Sequence, residues 1–329
     1  MTIINSIEID KIEYSINHTT EAILNNEPID DTLHVVTVIS NPCQYATRYI
    51  LAKQFIRRME RTPNISLYVV ELAYGEQPFR VTTHDNKRHL QIRTTEPPLW
   101  QKENMINIGI RRLLPQTWRA VAWIDADIEF DNPYWALDAL KILNGYKDII
   151  QVFSHAVDMD KMQYTMQLFS AFGYQYERGR QYKPGGLDFW HPGYAWACTR
   201  KAYEKMGGLY ERSVLGSGDH NMALSLIGYS NKSLNGAVHP EYKEHVLEFQ
   251  HRVKGLRLGY SPGIIRHYFH GHKADRKYHE RWHILTEHQY NPRTHVTLNE
   301  IGLMVPTPDC PKALLTDILE YFKQRNEDN

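Results

Sequence analysis

Residues 119–127 read RAVAWIDAD, an apolar run that leads into two acidic residues. Its apolar run is typical of a strand buried in a parallel sheet, and it ends at two carboxylates, Asp125 and Asp127. In open α/β sheets, ligands bind at the carboxyl ends of the strands, where helix N-termini also converge. The sequence therefore predicts an acidic site at the edge of an α/β sheet.

The chain before this strand has the pattern of a βαβ unit. Residues 33–40 (LHVVTVIS) and 65–73 (ISLYVVELA) are apolar runs, and residues 45–60 between them have helical character. Apolar residues at helical spacing over 98–114 predict a further helix immediately before the acidic strand.

Composition limits the class of protein. The 329 residues are 42% hydrophobic and 23% charged, which suits a globular enzyme of one large domain or two closely packed ones. Lys and Arg balance Asp and Glu at 38 each, so no global charge favours nucleic acid or anionic membrane. Three scattered cysteines, no evident signal peptide and no apolar run of about eighteen residues predict a cytoplasmic protein without a membrane span.

Asp125 and Asp127 are spaced to hold a divalent cation. Carboxylates one residue apart in the turn after a strand can bind Mg²⁺ or Mn²⁺, ions that bridge neighbouring phosphates. A nucleotide sugar carries two such phosphates, and negative charge grows on them as the sugar leaves. An isolated Asp-x-Asp is more often a solvated turn, but its place after a buried strand favours a metal site.

The helix before the acidic strand carries Lys102 and Asn107, which can address a ribose or a phosphate. Its Gly109 permits close packing on the sheet. An ordinary amphipathic helix is the alternative interpretation of this stretch.

The order of these motifs resembles the GT-A glycosyltransferases, particularly the β-1,4-galactosyltransferase-like and polypeptide N-acetylgalactosaminyltransferase-like group. The matching features are Asn107-x-Gly, the apolar strand into Asp125-x-Asp127, and the later loop 215–220 (LGSGDH), where the family usually has Gly-Trp-Gly and Glu-Asp. The resemblance spans residues 33–285. It implies an α/β GT-A fold, Rossmann-like, with a mostly parallel central sheet flanked by helices.

The same resemblance divides the chain into regions. Residues 1–30 are expected to be an N-terminal extension with a strand or hairpin, residues 31–290 the GT-A catalytic domain, and residues 291–329 a C-terminal helical tail with a frayed polar end. Within the catalytic domain, residues 31–130 are the predicted nucleotide-binding half and residues 131–290 the acceptor half.

Carried over from the family, Asp219 becomes the general base that deprotonates the acceptor hydroxyl. The alternative is that Asp219 only caps the helix that follows it. Its neighbours Gly218 and His220 are predicted to bind the acceptor. Trp190 and His191 join them because aromatic faces suit the apolar C–H patches of a sugar ring, although such side chains can equally pack in a core.

Residues 266–273 (RHYFHGHK) contain three histidines, and the resemblance implies that one of them is the third metal ligand. On an extended strand, His270 and His272 share one side and His267 faces the other. The predicted ligands are therefore Asp125, Asp127 and His270, with His272 as the next choice.

Cations after the histidines are expected to contact the diphosphate. Lys273 and Arg276 are assigned this role, whereas Arg281 is better explained as the solvated face of a helix. The predicted donor-binding set is Ser40, Lys102, Asn107, Asp125, Lys273 and Arg276.

The sequence thus predicts a Mn²⁺- or Mg²⁺-dependent transfer of a hexosyl or N-acetylhexosaminyl group. The expected donor is a nucleotide-diphosphate sugar, first of all a UDP-sugar, and the expected acceptor is a hydroxyl of a glycan, a glycoprotein or another molecule, with inversion favoured and retention left open. One alternative is a glycosyltransferase acting on a hydroxylated DNA base, served by a local basic stripe of Arg252, Lys254, Arg257 and Arg266. The other is a non-catalytic sugar-binding protein of the same fold.

Overall fold

The computed structural model describes residues 2–4, 7–9, 31–186, 189–234, 236–278 and 280–329. Two short antiparallel strands lie within the predicted N-terminal extension, and the remainder of that extension lies outside the described residues.

The described strands in chain order are β1 (Thr2–Ile4), β2 (Ile7–Ile9), β3 (Leu33–Ser40), β4 (Ile65–Tyr74), β5 (His89–Thr94), β6 (Ala120–Ile124), β7 (Ile128–Phe130), β8 (Ile149–Gln151), β9 (His155–Met159), β10 (Thr165–Ala171), β11 (Trp190–His191), β12 (Ala195–Thr199), β13 (Leu258–Tyr260), β14 (Ile264–His267), β15 (Val296–Leu298) and β16 (Met304–Pro306). The described α-helices are α1 (Ala46–Met59), α2 (Lys102–Leu113), α3 (Trp135–Leu143), α4 (Phe172–Glu177), α5 (Arg200–Met206), α6 (Gly218–Leu226), α7 (Pro240–Val253), α8 (Arg281–Glu287) and α9 (Lys312–Gln324).

The central sheet has seven strands in the order β13-β8-β12-β6-β3-β4-β5. Within it, β12 is antiparallel to both of its neighbours, and the other four pairs are parallel. The parallel part places the carboxyl ends of β3 and β6 side by side. The predicted α/β fold with a mostly parallel central sheet flanked by helices is confirmed.

Helices cover both faces of the sheet because its strands are apolar on both faces. Val36 and Trp123 point into the core that contains side chains of α2, α6 and α7. The adjacent residues Val35 and Ala122 point into the core that contains side chains of α1 and α3. This alternation is the period of two expected for strands, and it explains why their sequences read as continuous apolar runs.

A second sheet, in the order β11-β10-β9-β14-β7, extends from the acidic turn. The chain passes from β6 through residues 125–127 directly into β7, and β7 pairs with β14. On its other side β14 pairs with β9, so that His267 is opposite both Ile128 and Asp158. This register brings a late histidine next to the acidic turn.

Residues 148–155 (DIIQVFSH) and 264–273 (IIRHYFHGHK) each have a sequence pattern that predicts one continuous strand, and the structure differs from both predictions. The run DIIQVFSH is divided between β8 and β9 because the chain crosses there from the central sheet to the second sheet. The stretch IIRHYFHGHK is extended only as far as His267. The region after residue 290 also differs from a purely helical tail, since the hairpin β15–β16 precedes α9.

Among the described residues, no helix combines the length and the apolar character needed to cross a membrane. The cysteines Cys43, Cys198 and Cys310 are all free thiols.

Candidate active site

A cleft of about 800 Å³ opens where β3 and β6 end. The predicted site residues that line it are Ser40, Lys102, Asp125, Asp127, His191, Asp219, His220, His270, Lys273 and Arg276. Side chains from both predicted halves of the catalytic domain therefore face one space.

Asp127, His267 and His270 form a cluster at the lip of the central sheet. One ligand atom from each lies within 4.8 Å of the others. Asp127 Oδ2 is 2.9 Å from His270 Nε2 and 3.9 Å from His267 Nε2, and the two Nε2 atoms are 3.2 Å apart. Asp127 Oδ1 is buried and has no hydrogen-bond partner within the described part of the chain. One carboxylate and two imidazoles fit a divalent transition ion such as Mn²⁺.

A second carboxylate lies behind His267. This carboxylate belongs to Asp158. His267 Nδ1 donates a 2.5 Å hydrogen bond to Asp158 Oδ1, and both side chains are buried. Burial alone would raise the pKa of Asp158, but the bond from His267 and the contact with Lys273 lower it to about 2. A proton fixed on Nδ1 leaves Nε2 free for a metal, which is the usual arrangement of metal-binding histidines.

The prediction that His267 faces away from His270 is wrong because β14 ends at His267 and the alternation of a strand does not continue beyond it. The chain turns there, with Tyr268 N donating to Asp127 O, and His270 returns to the same cluster. His272 is exposed and packs edge-on against Phe269.

Asp125 is paired with a lysine instead of joining this cluster. Lys102 Nζ lies 2.5 Å from Asp125 Oδ1. Burial, reinforced by the charge of Asp127, raises the pKa of Asp125 to about 6 although Lys102 opposes the shift. Burial also acts on Asp127, but the facing His270 and His267 hold its pKa well below its usual range. The structure thus places Asp127 in the cluster of candidate metal ligands and Asp125 outside it, beside Lys102.

Asp219 lies in the first turn of α6 and faces the cleft, half-buried. The residue before the helix is Ser217, in a left-handed conformation with φ of 72°. The interpretation of Asp219 as the N-cap is therefore wrong. Asp219 Oδ1 accepts a hydrogen bond from His220 N at 2.8 Å, and Oδ2 lies beside Gly193.

Two histidines accompany Asp219 along the wall of the cleft. The ring of His191 stacks on Tyr194 at a centroid distance of 4.2 Å, and burial lowers the pKa of His191 to about 3, so its imidazole is neutral. His220 Nε2 is buried, and no hydrogen-bond partner for it is found in the described ranges.

Three predicted site residues do not line the cleft. Asn107 is 1% exposed, and its amide binds Leu209, Glu211 and Tyr203, because it holds the turn after α5 against α2. Trp190 packs in the core against Phe172 and Tyr182. Gly218 is buried against Glu103, whose side chain leaves no space for a Cβ.

The cations of the cleft are held by specific partners. Lys273 contacts Asp158, and Arg276 places a guanidinium nitrogen 2.9 Å from His270 Nε2. Arg281 was predicted to be solvated, which is wrong: it is 9% exposed, and its guanidinium donates to Ser217 Oγ at 2.5 Å. It thereby ties α8 to the loop that precedes Asp219.

Sequence reasoning missed a set of charges contributed by the segment after α9. Glu327 is 1% exposed and binds both Arg48 and Arg325 at the cleft. The prediction of a frayed polar end is wrong because this segment docks on α1, where Asp328 accepts bonds from the first helical amides. Its local sequence, RNEDN, contains no signal of this docking.

Two of the four residues in the basic stripe considered for nucleic acid are engaged in ion pairs, and a third, Arg252, donates to Met206 O at 2.9 Å. Arg257 binds Asp148 through two nitrogens, and Arg266 binds Asp131 in the same way. Pairing leaves less positive charge for a polyanion than the sequence indicates.

No protein-family profile matches the chain, and no curated protein sequence matches it. Solved structures do match. A mutant Drosophila β-1,4-galactosyltransferase 7, solved with manganese, UDP-Gal and xylobiose, is 10% identical with a TM-score of 0.40, over 84% of this chain and 95% of that chain.

Two further solved structures are similar in outline. A mannosyltransferase from Pyrobaculum calidifontis, in complex with GDP-Man and Mn²⁺, is 14% identical with a TM-score of 0.41, over 83% of this chain and 68% of that chain. A glucosyl-3-phosphoglycerate synthase from Mycobacterium tuberculosis, in complex with Mg²⁺ and UDP, is 11% identical with a TM-score of 0.35, over 85% of this chain and 82% of that chain. The ions and nucleotides of these complexes belong to those proteins.

Proposed function

We propose that this chain is a metal-dependent glycosyltransferase that moves a hexosyl or N-acetylhexosaminyl group from a nucleotide-diphosphate sugar, first of all a UDP-sugar, to a hydroxyl acceptor with inversion. One observation carries the proposal. The Asp127, His267 and His270 cluster lies in the same cleft as the half-buried carboxylate of Asp219.

The three-residue cluster would hold the ion. When bound, a divalent cation neutralises the charge that develops on a leaving diphosphate. Two imidazole ligands favour Mn²⁺ over Mg²⁺, which prefers an all-oxygen shell. Asp158 supports this assignment because its hydrogen bond to His267 Nδ1 leaves the Nε2 atom of that ring available to the ion.

Cations around the cluster supply the remaining contacts to the donor. Lys102 and Arg276 line the same cleft as Asp127, and Ser40 lies at the end of the adjacent strand β3. Fixed cations in a partly dry cleft bind phosphate oxygens more strongly than they would in water. Asp125 keeps Lys102 in place through the ion pair described above.

Asp219 would accept the proton of the acceptor hydroxyl as that oxygen attacks the anomeric carbon. The bond to the departing diphosphate breaks in the same displacement, so the configuration at the anomeric carbon inverts. His191 and His220, which share the wall of the cleft with Asp219, are the candidate contacts to the acceptor.

A thermal-shift panel tests the proposal. Purified protein is melted with UDP, GDP and their sugars, each with and without Mn²⁺. A true donor raises the melting temperature by mass action, by an amount equivalent to about 2.7 kcal/mol at a hundredfold excess over its Kd. Asp127→Ala should remove the part of the rise that depends on Mn²⁺, whereas the exposed control Asp309→Ala should retain it. A parent-like response from Asp127→Ala would remove the metal site from the proposal.

A further inference from the structure

The segment from Arg325 to Asp328 lies beside the cluster of Asp127, His267 and His270, where Glu327 contacts His270. Glu327, at its centre, is almost completely buried. Arg48 of α1 donates to Glu327 Oε1 at 2.8 Å, and Arg325 Nε donates to the same oxygen at 2.6 Å. Two guanidinium groups therefore fix the position of this carboxylate.

The other oxygen of this carboxylate, Oε2, accepts a hydrogen bond from Arg48 Nε and also faces His270, a candidate metal ligand whose Nδ1 lies 3.3 Å from Arg276 Nη2. Glu327 Oε2 lies 3.7 Å from His270 Nδ1, a separation in the range of an ion pair and longer than a hydrogen bond. The opposite nitrogen of the same ring, Nε2, is the atom that faces Asp127 Oδ2. The imidazole thus stands between the buried carboxylate of Glu327 and the cluster.

The backbone around His270 packs on the same segment. Gly271 has φ of +85°, and a Cβ at this position would lie 2.9 Å from Glu327 Cα. Tyr321 OH donates to Arg276 O at 3.0 Å, which ties the histidine loop to α9. The loop that carries His270 is therefore held by the segment at both its side chain and its backbone.

We propose that Glu327 is a positioning residue of the metal site, which keeps His270 Nδ1 towards its own carboxylate and directs Nε2 to the ion. This inference rests on the proposed function and deepens it. A carboxylate anchored behind Nδ1 fixes the orientation of the ring, and with it the direction in which Nε2 points. Asp158 has the equivalent place behind His267, and each histidine of the cluster then has its own carboxylate.

Titration of the purified protein with Mn²⁺ by isothermal calorimetry tests this role. Glu327→Gln keeps the size of the side chain and removes its charge. Its affinity for Mn²⁺ should fall by about 10-fold to 100-fold. Glu320→Gln, on the exposed face of α9, is the matched control and should bind Mn²⁺ like the unaltered protein. Unchanged affinity in Glu327→Gln would overturn the inference.

A second variant and a spectroscopic measurement separate positioning from simple support of the fold. Glu327→Asp keeps the charge but withdraws it from His270, so it should recover part of the affinity that Glu327→Gln loses. Nitrogen-15 NMR of the unaltered protein loaded with diamagnetic Zn²⁺, which occupies Nε2, should show a proton on His270 Nδ1, with the signal assigned by its loss in His270→Gln. An unprotonated Nδ1 would overturn the inference even if neither Glu327 variant folds.

The outcome for the unaltered protein distinguishes the two proposals. Failure of the unaltered protein to bind Mn²⁺ would overturn the proposed function and this inference together. Binding by the unaltered protein with equal binding by Glu327→Gln would overturn this inference alone.

Discussion

At the scale of single residues, the partner of each carboxylate determines what it can do. Asp125 and Asp127 are one residue apart, yet Lys102 faces the first and two histidines face the second. The pKa of Asp125 rises to about 6, while that of Asp127 lies well below its usual range. The pair therefore divides into one carboxylate that holds a lysine and one that faces two imidazoles and can share an ion with them.

Substitution of the proposed base tests catalysis separately from binding. Asp219→Asn has nearly the same shape and keeps an oxygen acceptor, so the Mn²⁺-dependent thermal shift with the donor should remain. Sugar transfer should fall by about 10²-fold to 10⁴-fold because general-base catalysis is lost. Donor turnover measured by release of the nucleoside diphosphate gives the readout. A variant as active as its parent would remove Asp219 from the role of base.

The buried side chain of Glu103 makes the free energy of unfolding depend on pH. Burial beneath Gly218 raises the pKa of Glu103 to about 8, from 4.5 for an unperturbed glutamate. The folded protein therefore holds this proton more tightly than the unfolded chain does. The resulting stability is fully present below pH 4.5 and is lost as pH rises towards 8.

Glu103→Gln removes this dependence on pH, because glutamine stays neutral as the buried acid does. The variant should melt at a higher temperature than its parent at pH 9, and the difference should shrink steadily towards pH 5. Differential scanning calorimetry across this range provides the measurement, with the exposed Glu96→Gln as control. A difference that is the same at every pH would contradict the assignment of a buried, protonated acid.

At the scale of elements, α1 is capped from a distant part of the chain. Asp328 accepts hydrogen bonds from Ala46 N at 2.9 Å and Thr47 N at 2.8 Å, two amides that have no partner inside the helix. Asp328→Ala should cost about 1 kcal/mol, as the loss of an N-cap does. That cost corresponds to a fall of roughly 2 °C in melting temperature for a chain of this size. A melting temperature equal to that of the exposed control Asp309→Ala would contradict the capping role.

The elements that sequence reasoning predicted best are the buried strands. The runs that became β3, β4 and β6 are apolar on both faces because helices cover both sides of the sheet, and such runs have clear ends. The division between β8 and β9 was missed because the chain changes sheets at 152–154, a tertiary event inside an uninterrupted apolar run. The end of β14 at His267 was missed because the turn there depends on a contact with a distant segment, the hydrogen bond from Tyr268 N to Asp127 O.

At the scale of the whole molecule, the site combines segments that are far apart in sequence. Asp127, Asp219 and His270 were predicted because short motifs carry them, and the structure brings all three to one cleft. Glu327 and Arg48 were not predicted, since a buried ion pair between two distant polar segments leaves no local pattern. Asn107 was assigned to the donor because it shares a helix with Lys102 just before the acidic strand, whereas its amide is used within the core.

The most direct test of the central claim is a crystal of the protein with Mn²⁺, examined by anomalous diffraction at the manganese edge. We predict one strong peak about 2 Å from an oxygen of Asp127 and from Nε2 of both His267 and His270, open to the cleft that contains Asp219. A crystal with no manganese peak there would contradict the claim. So would a manganese ion that is bound by Asp125 and contacts neither His267 nor His270.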